Sequence, residues 1–210
     1  MEKVKILNRS GLNLSAVIHA PKNPSNSPLV ILLHGNTGYK EETHIESLAV
    51  LLSENGFFSI RFDCSGSNES DGTFEKDYRF SNYLTDVADV LEYAKKLPGL
   101  NKDKIGLWGH AMGGQLACIF ASAHPQIKSL CIVSSPSVLI LPPEDEENLA
   151  KFGYYEMKSS KLGTVRLPAA YFEERSKYDA SISVKNLKIP KLIIWGTSDD
   201  VVPAERKNDF

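Results

Sequence analysis

The chain is poor in cysteine: its 210 residues carry three, Cys64, Cys118 and Cys131. An odd number at wide spacing gives neither a disulfide framework nor a zinc site, and it fits reduced thiols in a cytoplasmic protein. No apolar run approaches the ~18 residues of a membrane span. The opening "MEKVKILNRS" has no apolar core of the kind that marks a secretion signal. Charge of one sign is also missing. The 24 basic and 26 acidic residues leave a net charge of -2, which offers no footprint for nucleic acid or an anionic membrane. There is no Gly-rich phosphate loop, no dinucleotide fingerprint and no metal-ligand spacing, so neither a cofactor nor a metal is expected. Histidine is scarce too, and His19, His34, His44, His110 and His124 all lie in the first 125 residues.

What is present is a single domain's worth of core. Hydrophobic residues make up 42% and charged ones 24%, the balance of a soluble globular chain. Strand-like segments open the sequence near Val4–Leu7 and Leu12–His19, close enough for an antiparallel hairpin. "LVILLHG", "FFSIRFD", "KIGLWG", "IKSLCIVSS" and "PKLIIWG" are continuous branched runs, the pattern of strands buried on both faces. Helical spacing lies between them, over Thr43–Glu54, Phe80–Leu97 and Gln115–Ala123. Strand and helix in alternation predict an α/β fold with a mostly parallel, doubly wound sheet. The rhythm breaks at residues 136–188, which begin with the acidic "PPEDEEN" and continue with aromatics. This stretch is expected to be an inserted cap of short helices, on a core formed by residues 1–135 and 189–210.

The chemistry concentrates at the carboxyl ends of the predicted strands, where ligands of such sheets bind. "WGHAMGG" runs from a strand into a helix. Glycines at 109 and 113 flank a raised residue, the arrangement of a nucleophile elbow, but the raised residue is Ala111 and has no nucleophilic atom. "LLHGNTG" places His34 and Gly35 ahead of Asn36, whose N–H, with that of Met112, suits an oxyanion. "WGTSDDVVP" puts Asp199 just past the last strand, where a carboxylate can orient an imidazole. Cys64, near the same edge, has no base or cation beside it that would activate a thiolate.

Taken together, these stretches resemble the α/β-hydrolase fold. Within it they resemble the bacterial carboxylesterases near the cinnamoyl (feruloyl) esterases and the monoacylglycerol-lipase-like, S33-type hydrolases. "GHAMGG" is similar to their G-H-S-M-G-G, and "GTSDDVVP" to their acid loop, which gives the acid's role to Asp199 rather than Asp200. "RFDCSGSNESDG" is similar to their R-F-D-x-x-G-x-G-x-S-D-G loop, with Asn68 and Glu69 as departures. The resemblance implies a carboxylic ester hydrolase acting on small aromatic or short to medium acyl esters, with Ala111 at the serine's place. Gly35, Gly109, His110 and Gly113 support the turns.

Two departures imply that this chain is inactive: Ala111, and the lack of a histidine after Asp199, where the resemblance expects one beyond a further strand and helix. His110 neighbours Ala111 and is expected to point away from the reacting centre. Without the family's final strand and helix, "KLIIW" is left at a sheet edge, which a second copy or a swapped segment would complete. Three readings stay open: a deliberate Ser-to-Ala exchange in an otherwise intact elbow, a natural non-catalytic binder of a small apolar ligand, and a histidine supplied by a segment outside this chain. A peptidase on the same fold is a further alternative.

Overall fold

A computed structural model describes residues 1–139, 141, 143–202 and 208–210. Pro203, the last residue of the acid-loop motif, lies outside them. The chain opens with β1 (Glu2–Leu7) and β2 (Asn13–His19), paired antiparallel. Asn8 closes their turn, its Oδ1 accepting from the N–H groups of Ser10 and Leu12. There follow β3 (Ser27–Leu33), α1 (Thr43–Glu54), β4 (Phe58–Phe62), α2 (Phe74–Asp77), α3 (Phe80–Ala94), β5 (Leu100–His110), α4 (Met112–Ala123) and β6 (Ile127–Val133). After β6 come α5 (Pro143–Phe152), β7 (Tyr154–Ser159), β8 (Gly163–Pro168), α6 (Ala169–Arg175), α7 (Ala180–Asn186) and β9 (Lys191–Ile194).

Seven strands form one sheet in the order β1-β2-β4-β3-β5-β6-β9. From β4 to β9 they run parallel, and β2 joins β4 antiparallel. The carboxyl ends of β3, β5, β6 and β9 therefore share one edge. The expected fold class holds, and its cause is visible in burial. Every residue of β4 is buried, as are Leu29, Ile31, Leu32 and Leu33 of β3. The helices press one apolar face onto the sheet, as α3 does with Val87, Val90, Leu91 and Ala94. This burial is the main favourable term in folding.

Two expectations need correction. Helix α4 begins at Met112 rather than Gln115, because Gly113 and Gly114, weak helix formers in isolation, are held helical by close packing. The segment between β6 and β9 is not made of helices alone. It holds an antiparallel pair, β7 with β8, in register from Tyr154 opposite Pro168 to Ser159 opposite Gly163. Leu167 is buried and Tyr155 and Met157 pack against the main core, while Glu156 and Lys158 face solvent. That alternation is a strand's. The last helix of this segment, α7, packs against α4 of the core.

β9 is the outermost strand on its side, and Leu192 in it is 56% exposed. Beside it an open groove of about 380 Å³ runs over the sheet face, walled by Val30, Leu48, Trp108, Cys131 and Leu192.

Candidate active site

The elbow is formed where β5 gives way to α4. Ala111 sits between them with φ 50° and ψ -121°, a left-handed conformation that costs an L-residue energy and marks functional turns. Its N–H donates to Val133 O of β6 at 3.0 Å, and its carbonyl accepts from Gly114 N–H at 3.0 Å. The glycines are there for space. A Cβ on Gly109 would run into the Gly113 carbonyl, and one on Gly113 into the carbonyls of Leu33 and His34. The elbow therefore packs main chain against main chain, which pulls the end of β3 close to the start of α4.

The facing turn follows β3. His34 is buried, its Nδ1 2.9 Å from Gly35 O and its Nε2 accepting from Cys64 N–H at 3.4 Å. The imidazole is thus the neutral Nδ1–H tautomer, and burial lowers its pKa. It acts as a brace between the turn and the loop after β4. A Cβ on Gly35 would lie 3.3 Å from the Ala111 Cβ, so the turn passes directly over the elbow. Among the described residues the backbone N–H groups of Asn36 and Met112 have no protein acceptor. Two free N–H groups beside a raised residue can hold a developing oxyanion.

The Asn36 side chain is held from both ends. Its Oδ1 accepts from the hydroxyls of Tyr78 at 3.0 Å and Tyr171 at 2.9 Å, and its Nδ2 approaches Met157 Sδ at 3.1 Å. The Tyr78 hydroxyl also accepts from Thr37 N–H at 2.8 Å. Two of these three partners, Met157 and Tyr171, belong to the segment between β6 and β9.

Asp199 lies past the end of β9, at the edge that carries Ala111. Partial burial pushes its pKa up, but the N–H groups of Val202 and Val201 and the Ser134 hydroxyl outweigh this and hold it below the usual value, with the charge of His110 adding to the effect. It is a stable carboxylate aimed by its own loop. No histidine among the described residues hydrogen-bonds to it. The His110 ring turns toward α1, with its centroid 4.8 Å from that of His44. Burial lowers the pKa of His110, which the charge of Asp199 partly offsets.

The cysteines give no substitute nucleophile. Cys64 is buried, and burial together with the charges of Asp86 and Asp63 raises its thiol pKa. Burial pushes Cys118 up to about 12. Thiols in such surroundings are inert. Among the described residues no group of histidine, cysteine and carboxylate side chains could hold a metal.

The two departures in the loop after β4 are accommodated. Asn68 stands at φ 49°, a conformation asparagine tolerates in a glycine's place, and its Nδ2 donates to Gly38 O at 2.9 Å. Glu69 accepts from Lys40 Nζ at 2.6 Å, a contact that holds its carboxyl down to about 2. Lys40 itself is buried and also reaches Asp63 at 2.7 Å. Sequence reasoning missed Tyr78, Met157, Tyr171 and Arg175. Only the aromatic content of residues 152–178 hinted at Tyr171, and nothing local marked the other three.

The α/β-hydrolase-fold family model matches residues 28–157, more than half of the chain. The chain belongs to the α/β-hydrolase family. An uncharacterised 31.7 kDa Escherichia coli protein from the traX-finO intergenic region is 30% identical, with 92% of this chain and 80% of that protein aligned. Human monoacylglycerol lipase ABHD6 is 24% identical over 85% of this chain and 64% of its own length. Among solved structures, Est1E of Butyrivibrio proteoclasticus with ferulic acid bound has a TM-score of 0.79 and 29% identity, covering 98% of this chain and 83% of that one. These relatives support an esterase- or lipase-like function at the level of the family. No helix among the described residues is long and apolar enough to cross a membrane.

Proposed function

We propose that this chain carries an esterase-type site that binds small esters, aromatic or of short to medium acyl length, and does not turn them over. The observation that carries this reading is Ala111. It is held at φ 50° on an intact elbow, between the unengaged N–H groups of Asn36 and Met112. Every other part of the elbow has the form that raises a nucleophile, and the residue raised is a methyl group. Among the described residues Asp199 has no imidazole partner. What remains is a pair of N–H donors suited to an oxyanion. Removing the nucleophile of such a triad costs about 10⁶ in kcat. The aromatic substrate class draws on the likeness to Est1E and its bound ferulic acid.

The test is titration of the chain with ethyl ferulate and with p-nitrophenyl butyrate, followed by calorimetry and by release of p-nitrophenol. Saturable binding without p-nitrophenol release is expected. An Ala111→Trp variant, whose side chain crowds the Asn36 and Met112 N–H groups, should bind neither ester. Turnover by the unaltered chain at rates ordinary for an esterase would overturn the reading, and so would Ala111→Trp binding unchanged.

A further inference from the structure

Arg175, the last residue of α6, is 3% exposed. Among the described residues no carboxylate pairs with it. Its guanidinium is instead bound to neutral groups. Nε and Nη2 donate to Gln115 Oε1 at 3.3 and 3.1 Å, and Nη1 donates to the Tyr171 hydroxyl at 3.4 Å. Gln115 is three residues past Met112 in the elbow helix, and its Nε2 is fixed by the carbonyls of Ser137 and Tyr178 at 3.2 and 3.1 Å. The Tyr171 hydroxyl donates to Asn36 Oδ1 at 2.9 Å and lies 3.2 Å from Met112 Sδ. One buried cation therefore reaches both sides of the candidate oxyanion site. One arm runs through Gln115 to α4 and Met112. The other runs through Tyr171 to Asn36.

A buried charge without a counter-ion is costly for stability, and an apolar side chain of the same volume would be cheaper. What the guanidinium supplies is direction: a rigid planar fork with fixed angles between its donors. We infer that Arg175 and Tyr171 are positioning residues that set the separation and aim of the Asn36 and Met112 N–H groups, so that the segment between β6 and β9 determines how well an anionic oxygen is held over Ala111. This rests on the oxyanion assignment of the preceding section. The residues touch no reacting atom and act through the turn and the elbow helix.

The experiment compares the unaltered chain with Tyr171→Phe and Arg175→Met. Two readouts are taken from each: the ¹H–¹⁵N resonances of the Asn36 and Met112 amides without ligand, and the affinities for ferulate and for its neutral ethyl ester. Tyr171→Phe removes one oxygen and keeps the ring packing, so it remains informative if Arg175→Met does not fold. Expected are displaced amide resonances for Asn36 in Tyr171→Phe and for both residues in Arg175→Met. Affinity for the ferulate anion should fall about tenfold while that for the ester changes by no more than about twofold. Equal losses for acid and ester, or unmoved amide resonances, would mean a purely structural role and overturn the inference. If the unaltered chain binds neither compound, the proposed function fails while the amide resonances still decide the positioning role.

Discussion

Gly35 and Ala111 face each other so closely that a methyl added to Gly35 would lie 3.3 Å from the methyl of Ala111. The turn after β3 and the elbow after β5 are thus one packed unit, and Ala111 is held in its left-handed conformation from two sides.

That conformation gives the first prediction. Glycine adopts φ 50° without the penalty an L-residue incurs, so Ala111→Gly should raise stability by about 1 kcal/mol. Ala111→Val, β-branched and pressed toward Gly35, should lower it. Urea midpoints at unchanged slope would report both. A stabilised valine variant would show that the elbow is not strained.

Space, rather than backbone angle, rules at Gly113. A methyl there would press on the carbonyls of Leu33 and His34, both main chain and unable to yield. Gly113→Ala is expected to cost about 3 kcal/mol or more. Gly153, at φ 74° with nothing within 4 Å of an added Cβ, is the control. Its alanine variant should lose only about 1 kcal/mol. Thermal unfolding of the pair distinguishes steric from conformational cost.

Lys40 bonds Asp63 at 2.7 Å, Glu69 at 2.6 Å and Glu41 at 2.9 Å, and the Asp63 side chain is fully buried. Removing the ammonium leaves that carboxylate without its cation, so Lys40→Met should cost about 3–5 kcal/mol. Lys40→Met with Asp63→Asn should recover part of the loss. A double variant no more stable than the single one would show that the pair is not the source.

His19 sets an acid limit. Burial, reinforced by the charge of Arg61, lowers its pKa to about 4, and its Nε2 accepts from Arg61 Nε at 3.1 Å. The unfolded chain takes up this proton near pH 6.5 and the folded chain only near 4. The contribution is therefore complete above about pH 6.5 and is lost as pH falls toward 4, on the order of 2 kcal/mol in all. His19→Gln should flatten the stability curve across that window. An unchanged slope would assign it to other groups.

Much of the fold was legible because the core strands are continuous branched runs between recognisable turns, as in "LVILLHG", and α1 and α3 keep helical spacing. The β7–β8 pair was hidden by its company. Tyr155, Met157, Val165 and Leu167 do alternate with charged residues, but over short stretches set among helices and aromatics. The positions of Ala111, Gly35 and Asp199 at one edge followed from strand order in the sequence. Tyr78, Tyr171 and Arg175 did not, because what they do depends on contacts between residues far apart in the chain, and no local pattern marks a tyrosine that holds an asparagine.

The three groups that hold the Asn36 side chain have a consequence for how the molecule is made. Met157 and Tyr171 lie 121 and 135 positions further along the chain. Contacts of such separation form only after the intervening loop has closed. As the chain emerges during synthesis, β1 to β6 can assemble while the turn at Asn36 still lacks two of its three anchors. The site is thus completed late, once α6 has docked, and any opening that frees α6 releases it before the sheet itself gives way.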